Sequence, residues 1–245
     1  MLPVGHFAGP MFIAPDAVEP ESYEVRYEDG VFSLSAAEYA VWALAHGDPD
    51  RVGSHRPTRQ ALTAEAEATG VTEPAVTIDA LISDGLLALI EDEPAARRAF
   101  AERHQLMPLA LGLGNQPSQL GVFQIGMPNT PRVSVGYDIY HMWLFCHRER
   151  TLWAAVQEIA GEAQEANDAA PAGDVELIAD VDDLLAGLIE ALPILLSTSC
   201  GFLDPRRPSP TSAPADDAAG SGDDGRGEDP AEDHEHGGDA LVAQP

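Results

Sequence analysis

The stretch Phe32–Gly47, FSLSAAEYAVWALAHG, decides how this chain is read, because a later stretch repeats it. Val133–Arg148 reads VSVGYDIYHMWLFCHR, and a constant offset pairs Ser33 with Ser134, Tyr39 with Tyr140, Trp42 with Trp143 and His46 with His147. The apolar positions Phe32/Val133, Leu34/Val135 and Leu44/Phe145 match in kind. Each stretch opens with alternating apolar residues and continues at helical spacing, which predicts a strand running into a helix. In the first, Ser35-Ala36-Ala37-Glu38 has the form of a capping box: the Ser35 hydroxyl accepts an orphan N–H and Glu38 reaches back. Tyr39, Trp42 and Leu44 then carry the apolar side of the helix to a stop at Gly47.

Outward from the first stretch, Tyr23, Val25 and Tyr27 alternate and meet Val31–Leu34 across Asp29-Gly30, which predicts a hairpin with a type I′ turn. Met11–Ala14 is a candidate third strand. A second helix is expected from Arg59 to Thr69, stopped by Gly70. Thr72 is placed to cap a third helix whose apolar side holds Val76, Ile78, Leu81 and Ile82, with Gly85 as its left-handed stop. Leu86–Ile90 reads as a returning strand. Around the second stretch, VFQIG and RVSV are strands, followed by helices over Tyr137–Cys146, Leu152–Glu165 and Val181–Ala191. LIEALPILLS echoes LISDGLLALI, with Pro193 replacing Gly85 as terminator, and Gly136 stands where Ser35 stood, so the capping box is lost.

The fold class expected is α+β: two tandem winged helix-turn-helix domains and a disordered acidic tail. The boundaries are 1–92 for the first domain, 93–120 for a linking helix and Gly-rich loop, 121–203 for a diverged second domain and 204–245 for the tail. The tail is rich in Pro, Gly, Ser and Asp and nearly devoid of large apolar residues, so it buries too little surface to offset its chain entropy.

The charge narrows the function classes. The 245 residues hold 41 acidic and 13 basic side chains, and all of the basic ones are arginine. A composition so rich in Ala, Gly, Pro and Asp fits either a GC-rich genome or a salt-adapted proteome. The tail holds 11 of the acids and 3 arginines, so the acidity extends over the folded part as well. No apolar run approaches a membrane span, the N-terminal residues lack a signal-peptide pattern, and two cysteines fit a reducing compartment. A cytoplasmic protein is the expectation.

The residues YEVRYEDGVFSLSAAEYAVWALAHGDP and TIDALISDGLLALI resemble the PqqD-like family of peptide-recognition domains, the RiPP recognition elements. The likeness covers roughly residues 11 to 92, and more weakly 121 to 200, and rests on apolar and small residues at the strand pair, the first helix start and the third helix end. It implies that the leader of a precursor peptide adds as a strand beside the third strand and packs toward the third helix. The peptide-binding residues it implies are Val31, Phe32, Ser33 and Leu34 with Ile78, Leu81 and Ile82. The partners it implies are a precursor peptide and a peptide-modifying enzyme of natural-product biosynthesis.

Other chemistries fit the sequence less well. A winged helix often binds DNA, yet no Arg or Lys lies between Gln60 and Ala96 or between Thr151 and Pro205, so the expectation is no nucleic acid and no membrane. Tyr39, Tyr140, Trp42 and Trp143 read more plainly as core than as ligand-stacking residues, since the spacing is helical. His46 and His147 read as helix C-terminal caps, where an imidazolium is favoured. Cys146, beside His147 and one turn from His141, lacks the paired spacing of a zinc site, and His234–His236 offers at most loose metal binding. Gly112-Leu113-Gly114-Asn115-Gln116 has too few glycines, and no helix start after it, to be a phosphate loop. Arg97, Arg98, Arg103, Arg148 and Arg150 are the basic concentrations, suited to intramolecular pairing or to docking an acidic segment, the tail included. With no nucleophile motif, the expected function is a peptide-binding adaptor, not an enzyme, without cofactor or metal. The alternative is a tandem winged-helix scaffold or regulatory subunit of a chromosome-associated or transcriptional complex.

Overall fold

The structure is a computed structural model, and it describes residues 1–51, 58–171 and 177–206. Most of the segment read as a tail, and the histidines within it, lie outside the described residues. The chain is mixed α+β. Its first half runs β1 (Leu2–Pro3), β2 (His6–Met11), β3 (Ser22–Tyr27), β4 (Gly30–Leu34), α1 (Ala36–Leu44), α2 (Arg59–Ala68), α3 (Pro74–Ser83) and β5 (Leu87–Ala88). After α4 (Pro94–Ala101) come β6 (His104–Pro108), β7 (Leu111–Gln116), β8 (Gln119–Met127), β9 (Thr130–Gly136), α5 (Tyr137–Phe145), α6 (Leu152–Ala169), α7 (Val181–Ser197) and β10 (Gly201–Pro205).

The pairings repeat with the order. β2-β3-β4 and β7-β8-β9 are antiparallel sheets, while β1 pairs β5 and β6 pairs β10. The N–H of Val4 donates to the Leu86 carbonyl (2.9 Å), and that of Leu109 to the Cys200 carbonyl (3.0 Å). Both β2 and β7 are bulged, at Phe7/Gly9 and at Gly112/Gly114. The second half therefore starts at His104, not near Gly121. Its Leu-Gly repeat reads as a loop by composition, but Gly112 lies beneath the Tyr140 hydroxyl, where a Cβ has no room, and Gly114 takes φ 74.

The capping box of α1 forms as expected: Ser35 Oγ accepts from the Glu38 N–H, and the Ser35 N–H donates to Glu38 (2.8 Å), a cap of ~1 kcal/mol. Trp42 and Trp143 are buried and their indole N–H groups donate to the Val4 and Cys200 carbonyls (3.0 and 2.8 Å). Tyr39 stacks between Tyr23 (4.2 Å) and Phe7 (4.9 Å), and Tyr140 packs on Phe123 (4.9 Å), joining each first helix to its sheet.

Four local expectations are corrected. The hairpin loop is Glu28-Asp29, closed by the Tyr27–Gly30 pair, and only Glu28 is left-handed (φ 54), so it is not a type I′ turn at Asp29-Gly30. The third strand is His6–Met11 and ends where Met11–Ala14 begins. Glu73 at φ 51, not Thr72, precedes α3, because Pro74 takes the first helical position, where its missing N–H costs nothing. Pro193 lies inside α7, which continues to Ser197. A mid-helix proline costs about 3 kcal/mol, yet Leu192, Leu195 and Leu196 around it are buried, each at about 1.5–3 kcal/mol. Burial wins.

Candidate strand-addition site

Among the described residues β4 is an outer strand of its sheet, paired with β3 alone. A two-residue loop makes Tyr27–Gly30 a hydrogen-bonded pair, so alternation gives the ladder bonds to Val25–Phe32 and Tyr23–Leu34. The N–H and C=O of Val31 and Ser33 then face outward. Their side chains are exposed (Val31 59%), while Phe32 packs against the core and Leu34 is within it. The edge is a row of donors and acceptors with alternating side chains, the arrangement an incoming strand needs.

The second sheet treats its corresponding edge differently. β9 carries Pro131, which has no N–H, and its register slips so that Arg132 is an extra, bulged residue between the Gly126–Pro131 and Ile125–Val133 pairs. Gly126 permits the bulge: a Cβ there would lie 2.5 Å from the Thr130 carbonyl oxygen and 2.7 Å from the Arg132 nitrogen. Proline and a bulge are devices that discourage strand pairing. Pro131 stands in the sequence, but only the register shows that it falls within the strand and that Arg132 is bulged beside it.

The helix residues expected at the site fare unevenly. Ile78 and Leu81 are fully buried in the core and line no open surface, and Ile82 is half-buried. The exposed apolar residue on α3 is Val76, at 63%. The sequence echo also misplaced the second helix. Gly85 and Ser199 end α3 and α7 in the same way, with left-handed φ of 80 and 52 and paired bonds Leu86 N–H to Leu81 and Cys200 N–H to Leu195. The counterpart of Ile82 is therefore Leu196, whereas the echo of LISDGLLALI in LIEALPILLS sets Ile82 against Ile189, about two turns earlier and buried.

Other candidate residues settle into structural places. His46 is half-buried against Trp42, with Nδ1 3.2 Å from the Trp42 carbonyl, and desolvation lowers its pKa despite that bond. At the end of α1, desolvation favours the neutral ring over the imidazolium. Nδ1 of His147 has no hydrogen-bond partner among the described residues. Burial pushes the Cys146 thiol up to about 12, so it is no nucleophile. Among the described residues no group of His, Cys, Asp and Glu is placed to hold a metal, and no helix is long and apolar enough to cross a membrane. Arg98 pairs with Glu102 (2.9 Å) and lies over Trp153 (4.5 Å), and Arg148 lies over Phe145 (5.5 Å). Arg59, Gln60, Thr63, Ala64 and Glu67 line an open depression on α2. Comparison with protein-family models, curated proteins and solved structures returns no match for this chain.

Proposed function

We propose that the chain is a non-catalytic adaptor of two PqqD-like winged-helix units, descended from a duplication, whose first unit captures a precursor peptide by strand addition at β4. The captured segment is presented to a separate peptide-modifying enzyme. One observation carries the reading: β4 is an unblunted edge, whereas the matching edge of the second sheet carries Pro131 and a bulge. The second unit is thereby released from capture and suited to hold the enzyme. The acidic surface supports a protein partner over nucleic acid, since phosphate binding rests on basic side chains.

The test is to look for a short precursor reading frame beside the gene for this chain and to measure binding of its leader peptide by calorimetry. Val31→Pro removes an outward N–H without touching a ladder bond and should abolish capture while the melt stays cooperative. Ser134→Pro on the second edge should leave capture intact. Undiminished binding by Val31→Pro would exclude strand addition at β4.

A further inference from the structure

The outer face of β3 and β4 presents two charged side chains, cross-strand from the two edge residues: Arg26 opposite Val31 and Glu24 opposite Ser33. Arg26 is turned away from the edge. Its guanidinium lies 3.4 Å from Asp204, donates to the Glu28 carbonyl (3.2 Å) and covers the Phe202 ring (5.0 Å). Glu24 is turned toward it. Ser22 Oγ donates to one carboxylate oxygen (2.6 Å) and Ser33 Oγ to the other (3.2 Å), which draws the negative charge over β4 itself. No Arg or His pairs with that carboxylate among the described residues. Two hydroxyls fix its position without neutralising it.

The second sheet provides an internal comparison. Gln124 pairs with Ser134 as Glu24 pairs with Ser33, but it is an uncharged amide, and its oxygen accepts from Gln116 (3.3 Å). The carboxylate occurs at the open edge and is missing at the blunted one.

We infer that the β4 edge selects an extended segment bearing a Lys or Arg opposite Ser33, whose cation pairs with the Glu24 carboxylate. This rests on strand addition at β4. A residue directly opposite Ser33 in an added strand has its Cβ about 5 Å away, and a Lys or Arg stem spans the remaining distance over the Ser33 side chain to the carboxylate. An acidic side chain at that position meets like charge and is rejected, and the overall acidity of the chain adds attraction at longer range. The acidic C-terminal residues of the chain itself are a poor occupant for the same reason.

The experiment uses the full chain and a displayed library of random twelve-residue peptides. One selected peptide is then measured by fluorescence anisotropy against wild type, Glu24→Gln and Val31→Pro, alongside its Lys→norleucine analogue. Val31→Pro should lose both peptides. Glu24→Gln should bind the Lys peptide about five-fold more weakly, as for a partly exposed ion pair, and the norleucine analogue as wild type does. Equal weakening of both peptides, or none, would overturn the role of Glu24 while leaving strand addition standing. Binding that survives Val31→Pro, a library that yields no binder, or a dimer dissolved by Val31→Pro would overturn strand capture itself.

Discussion

His104 opens β6 with its ring stacked on Phe100 (4.3 Å) and Nδ1 2.8 Å from the Phe100 carbonyl. Desolvation, with Arg103 adding repulsion, lowers its pKa to about 4. An unfolded histidine titrates near 6.5, so as pH falls the unfolded chain takes up the proton first. The contribution of the neutral ring is whole above pH 6.5 and is lost progressively down to about pH 4. At pH 5 the loss is about 2 kcal/mol. His46 shifts in the same direction and adds to the slope. His104→Gln should therefore lose about 2 kcal/mol less stability than wild type between pH 7.5 and pH 5. Urea unfolding followed by tryptophan fluorescence measures it. The acidic groups titrate alike in both proteins, so the difference isolates this ring, and parallel pH curves would refute the assignment.

At the scale of the element, α3 and α7 end in one motif with different residues. Gly85 adopts φ 80 freely and a Cβ there would lie 2.5 Å from the Tyr27 hydroxyl, whereas Ser199 holds φ 52 against its own Cβ. Ser199→Gly should stabilise the protein by about 1 kcal/mol. Gly85→Ser should cost more than that, because it adds a clash to the strain. Thermal melts of the two variants decide it. The same pair shows what was legible in sequence. The strand-helix cassettes, the capping box and Gly85 announce themselves through residue types with narrow conformational preferences. Ser199 does not, and Pro193 misleads, because buried leucines around it override a local preference. The edge strand β4 was legible from its hairpin, but its contrast with β9 was not, since only the register places Pro131 within that strand and reveals the bulge beside it. Ile78 and Leu81 entered the site through the family resemblance, laid on an apolar helix face whose spacing does not say whether sheet or solvent covers it.

At the scale of the whole molecule, β10 joins the two halves. Asp204 in β10 is 8% exposed, accepts the Glu28 N–H (3.1 Å) and pairs with Arg26 (3.4 Å), and the Gly5 N–H donates to the Leu203 carbonyl (2.7 Å). His6 packs on Phe202 at 4.9 Å, and Leu2, Val4 and Ile90 of the first half lie in the core cluster of the second. Asp204 and Pro205, expected to begin the tail, belong to the fold because the Glu28 turn needs the acceptor that Asp204 supplies. The N–H of Arg206 also donates to the Arg103 carbonyl (2.8 Å). A chain ending at Arg206 should melt as the full chain does, and one ending at Leu203 should melt well below it. Within the full chain, Asp204→Ala leaves a part-buried N–H unsatisfied and should cost about 2–3 kcal/mol. Asp204→Asn keeps an acceptor for Glu28 and weakens the attraction to Arg26, which is exposed enough for water to screen, so it should cost about 1 kcal/mol or less. Calorimetric melts of the four proteins separate the two contributions. Equal losses in Asp204→Ala and Asp204→Asn would mean that the charge, not the turn, holds the halves together. A Leu203-terminated chain as stable as the longer one would show that neither does.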